Sequence, residues 1–141
     1  MSPKDPRIDR LRSVPLFRVC DDKQLQFIAS RVDEVDVPAG KVLTQEGKSG
    51  GAFFILLAGE VEVTRGGARV AKLGTGDYFG EIALLDNGAC TATVAATQAS
   101  RCLVLSPGQF QDVLYQDATI AVSMLHSAVR RLRASAPLPT D

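Results

Sequence analysis

FGEIALLDNGACTATV, residues Phe79 to Val94, is the stretch around which the rest of this sequence is organised. Glycines at positions 74, 76 and 80 allow a tight turn, and EIALL then begins a short helix at Glu81. A helix start leaves backbone N–H groups without acceptors at the positive end of the helix dipole, which predicts an anion site for a phosphate. The Glu81 carboxylate can accept hydrogen bonds from vicinal hydroxyls such as those of a ribose. The two features together suggest a nucleotide.

The sequence around this stretch has the pattern of short strands. Apolar and polar residues alternate between Val35 and Thr44, and Ala52 to Ala58 is a continuous apolar run. Glycine-rich turns separate these runs, and two further β-rich runs follow at Thr91 to Ala96 and Ser100 to Leu105. Such a pattern is typical of a sandwich or barrel. We predict a mainly β domain with flanking helices, whose centre is an eight-stranded jelly-roll β-barrel at residues 33–105.

Helices are predicted on both sides of the barrel. Asp22 to Arg31 has apolar residues at helical spacing, Ser106 and Pro107 form a helix start, and a last helix runs from about Asp117 to Ala134. The predicted organisation is one domain between two tails: a flexible tail at 1–6, N-terminal helices at 7–32, the barrel, C-terminal helices at 106–135 and a tail at 136–141.

FGEIALL followed by TATV resembles the phosphate-binding cassette of the cyclic nucleotide-binding domain family, which includes catabolite-activator and protein kinase A regulatory-subunit types. The family's usual form is FGE(L/I)AL followed by R-x-A-T/S-V. Three further blocks resemble the family in the right order: VPLF at Val14 to Phe17, FFILLAGEVEV at Phe53 to Val63 and LGTGDYF at Leu73 to Phe79. The resemblance spans about Leu11 to His126. It implies a regulatory domain of signal transduction that binds cAMP or cGMP, with the two C-terminal helices as a moving lid.

The resemblance also implies roles for residues of the cassette. The turn from Gly80 to Ala83 would contact the ligand, with the N–H groups of Ile82 and Ala83 on phosphate oxygens and Glu81 on the ribose 2′-hydroxyl. Thr91 lies where some family members contact the guanine of cGMP, although other members with threonine there take cAMP. Thr91 is therefore a weak indication of base choice.

One position departs from the family's pattern. Nine residues after Glu81, where the family places an arginine that pairs with the cyclic phosphate, this chain has Cys90. A charge-assisted hydrogen bond contributes about 1.5–3 kcal/mol, so its loss would weaken binding about ten- to a hundred-fold. Cys90 is interpreted in three ways: a neutral residue in a weakened phosphate site, a redox-sensitive thiol, or a small buried side chain in a pocket that has lost its nucleotide. The sequence leaves open whether Arg65, Arg69 or Arg101 takes the arginine's place.

The last helix has two interpretations. By resemblance, Ser123, Met124 and Ser127 are candidates to cover a purine base; alternatively, this helix packs against the barrel or against a second copy of the chain as a homodimer. Its end carries a basic run, which we interpret as a solvated end that complements the helix dipole: Arg130, Arg131 and Arg133.

Composition narrows the function classes. Sixteen basic and sixteen acidic residues give a formal net charge of zero, so neither nucleic acid nor a membrane surface is expected as a partner. The sequence lacks an apolar run long enough to span a bilayer and has no signal sequence, which predicts a cytoplasmic protein. The three cysteines have no CxxC spacing, so neither a disulfide nor a zinc site is expected. One histidine, His126, is too few for a metal cluster and lies outside the barrel, where it cannot complete a catalytic triad. We therefore expect no cofactor and no enzyme activity.

These observations lead to three hypotheses. The first is a small regulatory module that binds cAMP or cGMP and signals through its C-terminal helices to an unidentified partner protein. The alternative is a degenerate module that no longer binds cyclic nucleotide and acts as a protein-interaction or dimerisation domain. A transcription factor of the catabolite-activator type is not expected, because the 141 residues leave no room for a DNA-binding domain after the last helix.

Overall fold

The chain folds into two four-stranded antiparallel sheets with helices on either side, over the residues 6–135 that the computed structural model describes. The helices are α1 (Pro6–Arg12), α2 (Asp22–Arg31), α3 (Glu81–Leu85), α4 (Pro107–Gln116) and α5 (Ala118–Ser135), with a 3₁₀ turn at Pro15–Phe17. The strands are β1 (Asp33–Val37), β2 (Val42–Thr44), β3 (Phe53–Ala58), β4 (Val61–Arg65), β5 (Ala68–Leu73), β6 (Tyr78–Phe79), β7 (Thr93–Ala96) and β8 (Ser100–Leu105).

The strand order is that of a jelly roll. One sheet has the order β1-β8-β3-β6 and the other β2-β7-β4-β5, and every neighbouring pair is antiparallel. The prediction of eight strands in this fold is confirmed. Within the described residues the two sheets are hydrogen-bonded separately, so the predicted barrel is a sandwich of two sheets that is not closed by a continuous ladder.

The predicted helices are also present. The α2 helix spans the predicted residues, and its capping box is formed by Asp21 and Gln24. Ser106 caps α4 in the same way together with Gln109. The α1 helix begins at Pro6, the last residue of the predicted N-terminal tail, where the fixed φ and missing N–H of proline are tolerated. The rest of that tail and the C-terminal tail at 136–141 lie outside the described residues.

Two apolar clusters hold the sheets and helices together. The larger packs α1, α2, α4 and α5 on the first sheet, where the rings of Phe53 and Phe110 lie 5.3 Å apart between centroids. The smaller lies between the two sheets, where Phe54 stacks on Phe79 with centroids 4.9 Å apart. Burying a side chain of this size contributes about 1.5–3 kcal/mol. Phe79, the first residue of the cassette, is thus fixed in the core, and this fixes the turn that follows it.

Asp117 connects the start of α5 to α2. Its Oδ1 accepts hydrogen bonds from the backbone N–H of Thr119 at 2.8 Å and of Ile120 at 3.3 Å, and its Oδ2 accepts one from Gln24 Nε2 at 2.6 Å. The bond from Gln24, followed by those from the backbone, holds the pKa of Asp117 below its ordinary value of 3.8. Asp117 thus serves as the N-terminal cap of α5.

The lowered pKa of Asp117 predicts an acid-sensitive contribution to stability. Since the unfolded carboxylate takes up its proton first, the contribution is complete well above the ordinary value of 3.8 and is lost as the pH falls through the lower folded pKa. Asp117→Asn keeps a capping oxygen but cannot titrate. Urea unfolding between about pH 6 and pH 3 should therefore show a steeper loss for the native chain than for this variant. If the free energy of unfolding fell equally with pH in both proteins, the Asp117 carboxylate would not be the cause of the loss.

Candidate functional site

The turn that opens the cassette requires a glycine. Gly80 follows β6 with φ of 98°, and a Cβ at this position would lie 2.3 Å from the backbone oxygen of Ala52. Gly80 forms the N-cap of α3, and the first turn has no side-chain cap. The N–H groups of Ile82 and Ala83 therefore have no acceptor within the helix. Their positive ends lie at the lining of a cavity, to which both residues belong.

This cavity has a volume of about 510 Å³, within the range of small-molecule sites. Its walls come from the turn at 80–83, the segment at 90–92, strands β4 and β5, and the end of α5. The structure therefore brings together around one cavity all six residues predicted to bind the ligand: Gly80, Glu81, Ile82, Ala83, Cys90 and Thr91. Their contact with a ligand stays a prediction.

Glu81 is the most buried polar group of the site, with 1% of its surface exposed. Its two carboxylate oxygens accept hydrogen bonds from Arg131 Nη1 at 3.0 and 3.1 Å. The Nη2 of Arg131 donates to the backbone oxygen of Tyr78, and the guanidinium carbon lies 4.0 Å from the centre of the Tyr78 ring. Burial raises the pKa of Tyr78, so its ring stays neutral beneath this cation. A buried carboxylate without such a partner would be costly.

The role of Arg131 corrects the sequence-based interpretation of the basic run. Arg131 was grouped with Arg130 and Arg133 as a solvated helix end, yet it connects α5 to the cassette. The signal was present in the spacing of α5: Ile120, Met124 and Ser127 are buried, and Arg131 continues the same face one turn later. A cation on a buried helix face indicates a buried anion opposite, which here is Glu81.

The three residues proposed to cover a base lie elsewhere. Ser123 Oγ donates to the backbone oxygen of Leu16 at 3.1 Å, and Met124 belongs to the larger core cluster with 1% exposed. Ser127 is buried as well, and none of the three lines the cavity. This part of α5 is occupied by packing on the 3₁₀ turn. The residues of α5 that do line the cavity are Arg131 and Ala134.

Cys90 lines the cavity and is buried, with 8% exposed. Its N–H donates to the Lys48 oxygen at 2.8 Å, and its own oxygen accepts from the N–H of Gly47 at 2.9 Å. A Cβ on Gly51 would lie 2.9 Å from the Cys90 Sγ, so the thiol lies directly against that glycine. Cys90 thus both lines the cavity and is a small buried side chain, so this geometry agrees equally with a weakened phosphate site and with a pocket that has lost its nucleotide. Its redox sensitivity stays a prediction.

The remaining arginines are now placed. Arg65 lines the cavity at the end of β4, where its Nε donates to the backbone oxygen of Thr91 at 3.0 Å. Arg101 forms ion pairs with Asp36 at 2.9 Å and with Glu34 at 3.2 Å, away from the cavity. Arg69 is exposed on β5 and does not line the cavity either.

Across the part of the chain that the structure describes, no group of three or more histidine, cysteine, aspartate or glutamate residues is placed to hold a metal ion. None of its described helices has the length and apolar character needed to cross a membrane.

A family model described as the cyclic nucleotide-binding domain matches residues 34–117. The chain belongs to this family. It is 34% identical over 105 residues to a cGMP-dependent protein kinase of Toxoplasma gondii, covering 74% of this chain and 11% of that protein. It is 35% identical over 106 residues to a cAMP-dependent protein kinase regulatory subunit of Yarrowia lipolytica, covering 74% and 28%.

A solved structure of this family agrees with the fold. The structure described as cAMP-bound PfPKA-R superposes with a TM-score of 0.79 at 26% identity, over 94% of this chain and 47% of that one. The chain spans less than a third of the length of the two curated relatives. The family match ends at Asp117, before α5 begins, so the contact of this cyclic nucleotide-binding domain with Arg131 comes from the structure alone.

Proposed function

We propose that this domain is a regulatory rather than catalytic module, which binds cAMP or cGMP in the cavity of about 510 Å³. The observation that carries the proposal is the buried carboxylate of Glu81 at the start of α3, beside N–H groups without acceptors in their helix. The carboxylate suits a ribose 2′-hydroxyl, and the N–H groups of Ile82 and Ala83 suit a phosphate. One ligand class that carries both groups at this spacing is a cyclic nucleotide.

The contact between Glu81 and Arg131 gives the module a means of signalling. A ribose hydroxyl that binds Glu81 competes with Arg131 for the same two oxygens, which are at present 3.0 and 3.1 Å from Nη1. Ligand binding then favours arrangements in which Arg131, and with it the end of α5, has moved. A partner protein that contacts α5 would detect this change.

The proposal is tested by titrating cAMP and cGMP separately into the protein by calorimetry, with 5′-AMP as the non-cyclic control. We expect saturable binding to one site and a rise in melting temperature with cyclic nucleotide, because a ligand that binds only the folded state stabilises it. A folded protein that shows neither heat nor a shift at millimolar cAMP and cGMP would exclude the proposal.

Thr91 offers a test of base choice. Thr91 is exposed and lines the cavity, and its hydroxyl is our candidate for a hydrogen bond to a guanine. One neutral hydrogen bond contributes about 0.5–1.5 kcal/mol, so Thr91→Ala should weaken cGMP about three- to tenfold. The affinity for cAMP should change less than twofold, roughly, if Thr91 contacts only guanine. Equal losses of affinity for cAMP and cGMP would show that Thr91 contributes to the site without distinguishing the two bases.

The second candidate is a dimerisation domain that has lost the nucleotide. Cys90 favours it, and so does α5, where Val122, Leu125 and Val129 are 49%, 53% and 44% exposed at a spacing of three and four residues. Leu125→Glu should then convert a dimer to a monomer in light scattering over a concentration series. A native chain that stays monomeric at high concentration would rule out self-association through this face.

A further inference from the structure

The charges that line the cavity do not cancel. Among the described residues, the lining has three acidic or basic side chains: Glu81, Arg131 and Arg65. Glu81 and Arg131 neutralise each other through their two hydrogen bonds. Arg65 is left as the net charge of the lining, and a cavity with one unmatched cation favours an anionic ligand.

Arg65 has no acidic partner in the described part of the chain. Within it, no carboxylate lies closer than 4.0 Å to the Arg65 guanidinium, whereas Arg10, Arg12, Arg31, Arg101 and Arg131 each have one. Glu46 is near the same hairpin, but its Oε1 accepts the backbone N–H of Gly66 at 2.9 Å. The guanidinium of Arg65 is therefore held near a ligand cavity without being neutralised.

Among the described residues, the Arg65 side chain has one hydrogen bond. Its Nε donates to the backbone oxygen of Thr91 at 3.0 Å, and Thr91 directly follows Cys90. An arginine held by its Nε still has four N–H bonds on Nη1 and Nη2, and these form a planar fork that matches a phosphate. Arg65 and residues 90–92 line the same cavity, and Cys90 in that segment stands where the family's arginine is missing.

We infer that Arg65 is the cation that binds the ligand's phosphate in this domain, in place of the arginine that Cys90 has replaced. The inference rests on the proposed function, since it names the residue that grips the anionic part of the same ligand. It follows from two independent observations: the lining has an unmatched charge, and a hydrogen bond holds the Arg65 Nε at Thr91, the residue next to Cys90. Arg131 differs from Arg65 in that its donors are bound to Glu81 and Tyr78 before a ligand enters the cavity.

The test compares Arg65→Gln with Arg69→Gln, which removes an exposed charge on the other strand of the same hairpin, outside the cavity. Calorimetry with cAMP and with cGMP should show a loss of about tenfold or more for Arg65→Gln, the effect of one charge-assisted bond. Arg69→Gln should stay within roughly twofold of the native chain, as expected for a screened surface charge. Equal melting temperatures of the two variants would show that folding is not the cause.

The outcomes separate this inference from the proposed function. If the native chain binds cyclic nucleotide and Arg65→Gln binds it equally well, Arg65 is not the phosphate ligand, although the proposed function stands. If the native chain binds neither nucleotide, both proposals fail. A double-mutant cycle completes the test. Arg65→Gln should reduce the affinity for cyclic nucleotide less in the Cys90→Arg background than in the native chain, because a second arginine then holds the phosphate. Equal losses of affinity in both backgrounds would show that Arg65 does not perform the role of the arginine missing at position 90.

Discussion

Cys90→Arg is expected to tighten the binding of cAMP or cGMP by about ten- to a hundred-fold, the effect of adding one charge-assisted contact to a phosphate. Cys90 lines the cavity, and its backbone is fixed on both sides by bonds to the loop at 47–51. Because the Cys90 Sγ lies against Gly51, a longer side chain has to turn away from that glycine, and the cavity that Cys90 lines offers the space for it. The new guanidinium would thus reach the phosphate side of the site next to Ile82 and Ala83.

Calorimetry with the native chain, Cys90→Arg and Cys90→Ser under the same salt would measure this effect. Cys90→Ser is the control because it removes the thiol at almost constant volume and adds no charge. Binding that appears only in Cys90→Arg would identify a pocket that has lost its ligand, and would favour the dimerisation alternative. A folded Cys90→Arg protein without binding would show that the missing arginine is not what limits the site.

The sequence was sufficient to predict the features whose chemistry is local. Gly80 and the helix start after it follow from residue type and order alone, as do the short strands and the start of α4 at Ser106 and Pro107. The six cassette residues fall on one cavity because they are close together in the chain.

The sequence failed where the chemistry depends on distant segments. Arg131 lies 50 residues after Glu81, and its partner can be recognised only once α5 is packed along the cassette. Ser123 and Met124 lie in the core beside the 3₁₀ turn, which agrees with the packing alternative that the sequence left open, and their contact with a base stays a prediction. Arg65 depends in the same way on the pairing of β4 with β7, which brings it to Thr91.

Glu81→Gln is expected to have the largest combined effect on stability and on ligand affinity of any single substitution in the site. It removes the charge that Arg131 binds, and leaves a guanidinium that is 32% exposed without its carboxylate. Breaking such a pair should lower the free energy of unfolding by about 3 kcal/mol, near the lower end for buried pairs because Arg131 is partly solvated. Cyclic nucleotide binding should fall about ten- to a hundred-fold at the same time, since the ribose loses a charged acceptor.

Arg131→Gln separates the two effects of Glu81. It breaks the same ion pair and leaves the more buried partner, Glu81, unpaired, so chemical denaturation should show a loss of stability at least as large. It leaves the Glu81 carboxylate in place and without a competing cation, so the affinity for cyclic nucleotide should rise where that of Glu81→Gln falls. Opposite changes in affinity, measured where both variants are folded, would mean that ligand and α5 compete for one carboxylate. If both variants lost affinity equally, Arg131 would instead support the ligand site, and movement of α5 would need another cause.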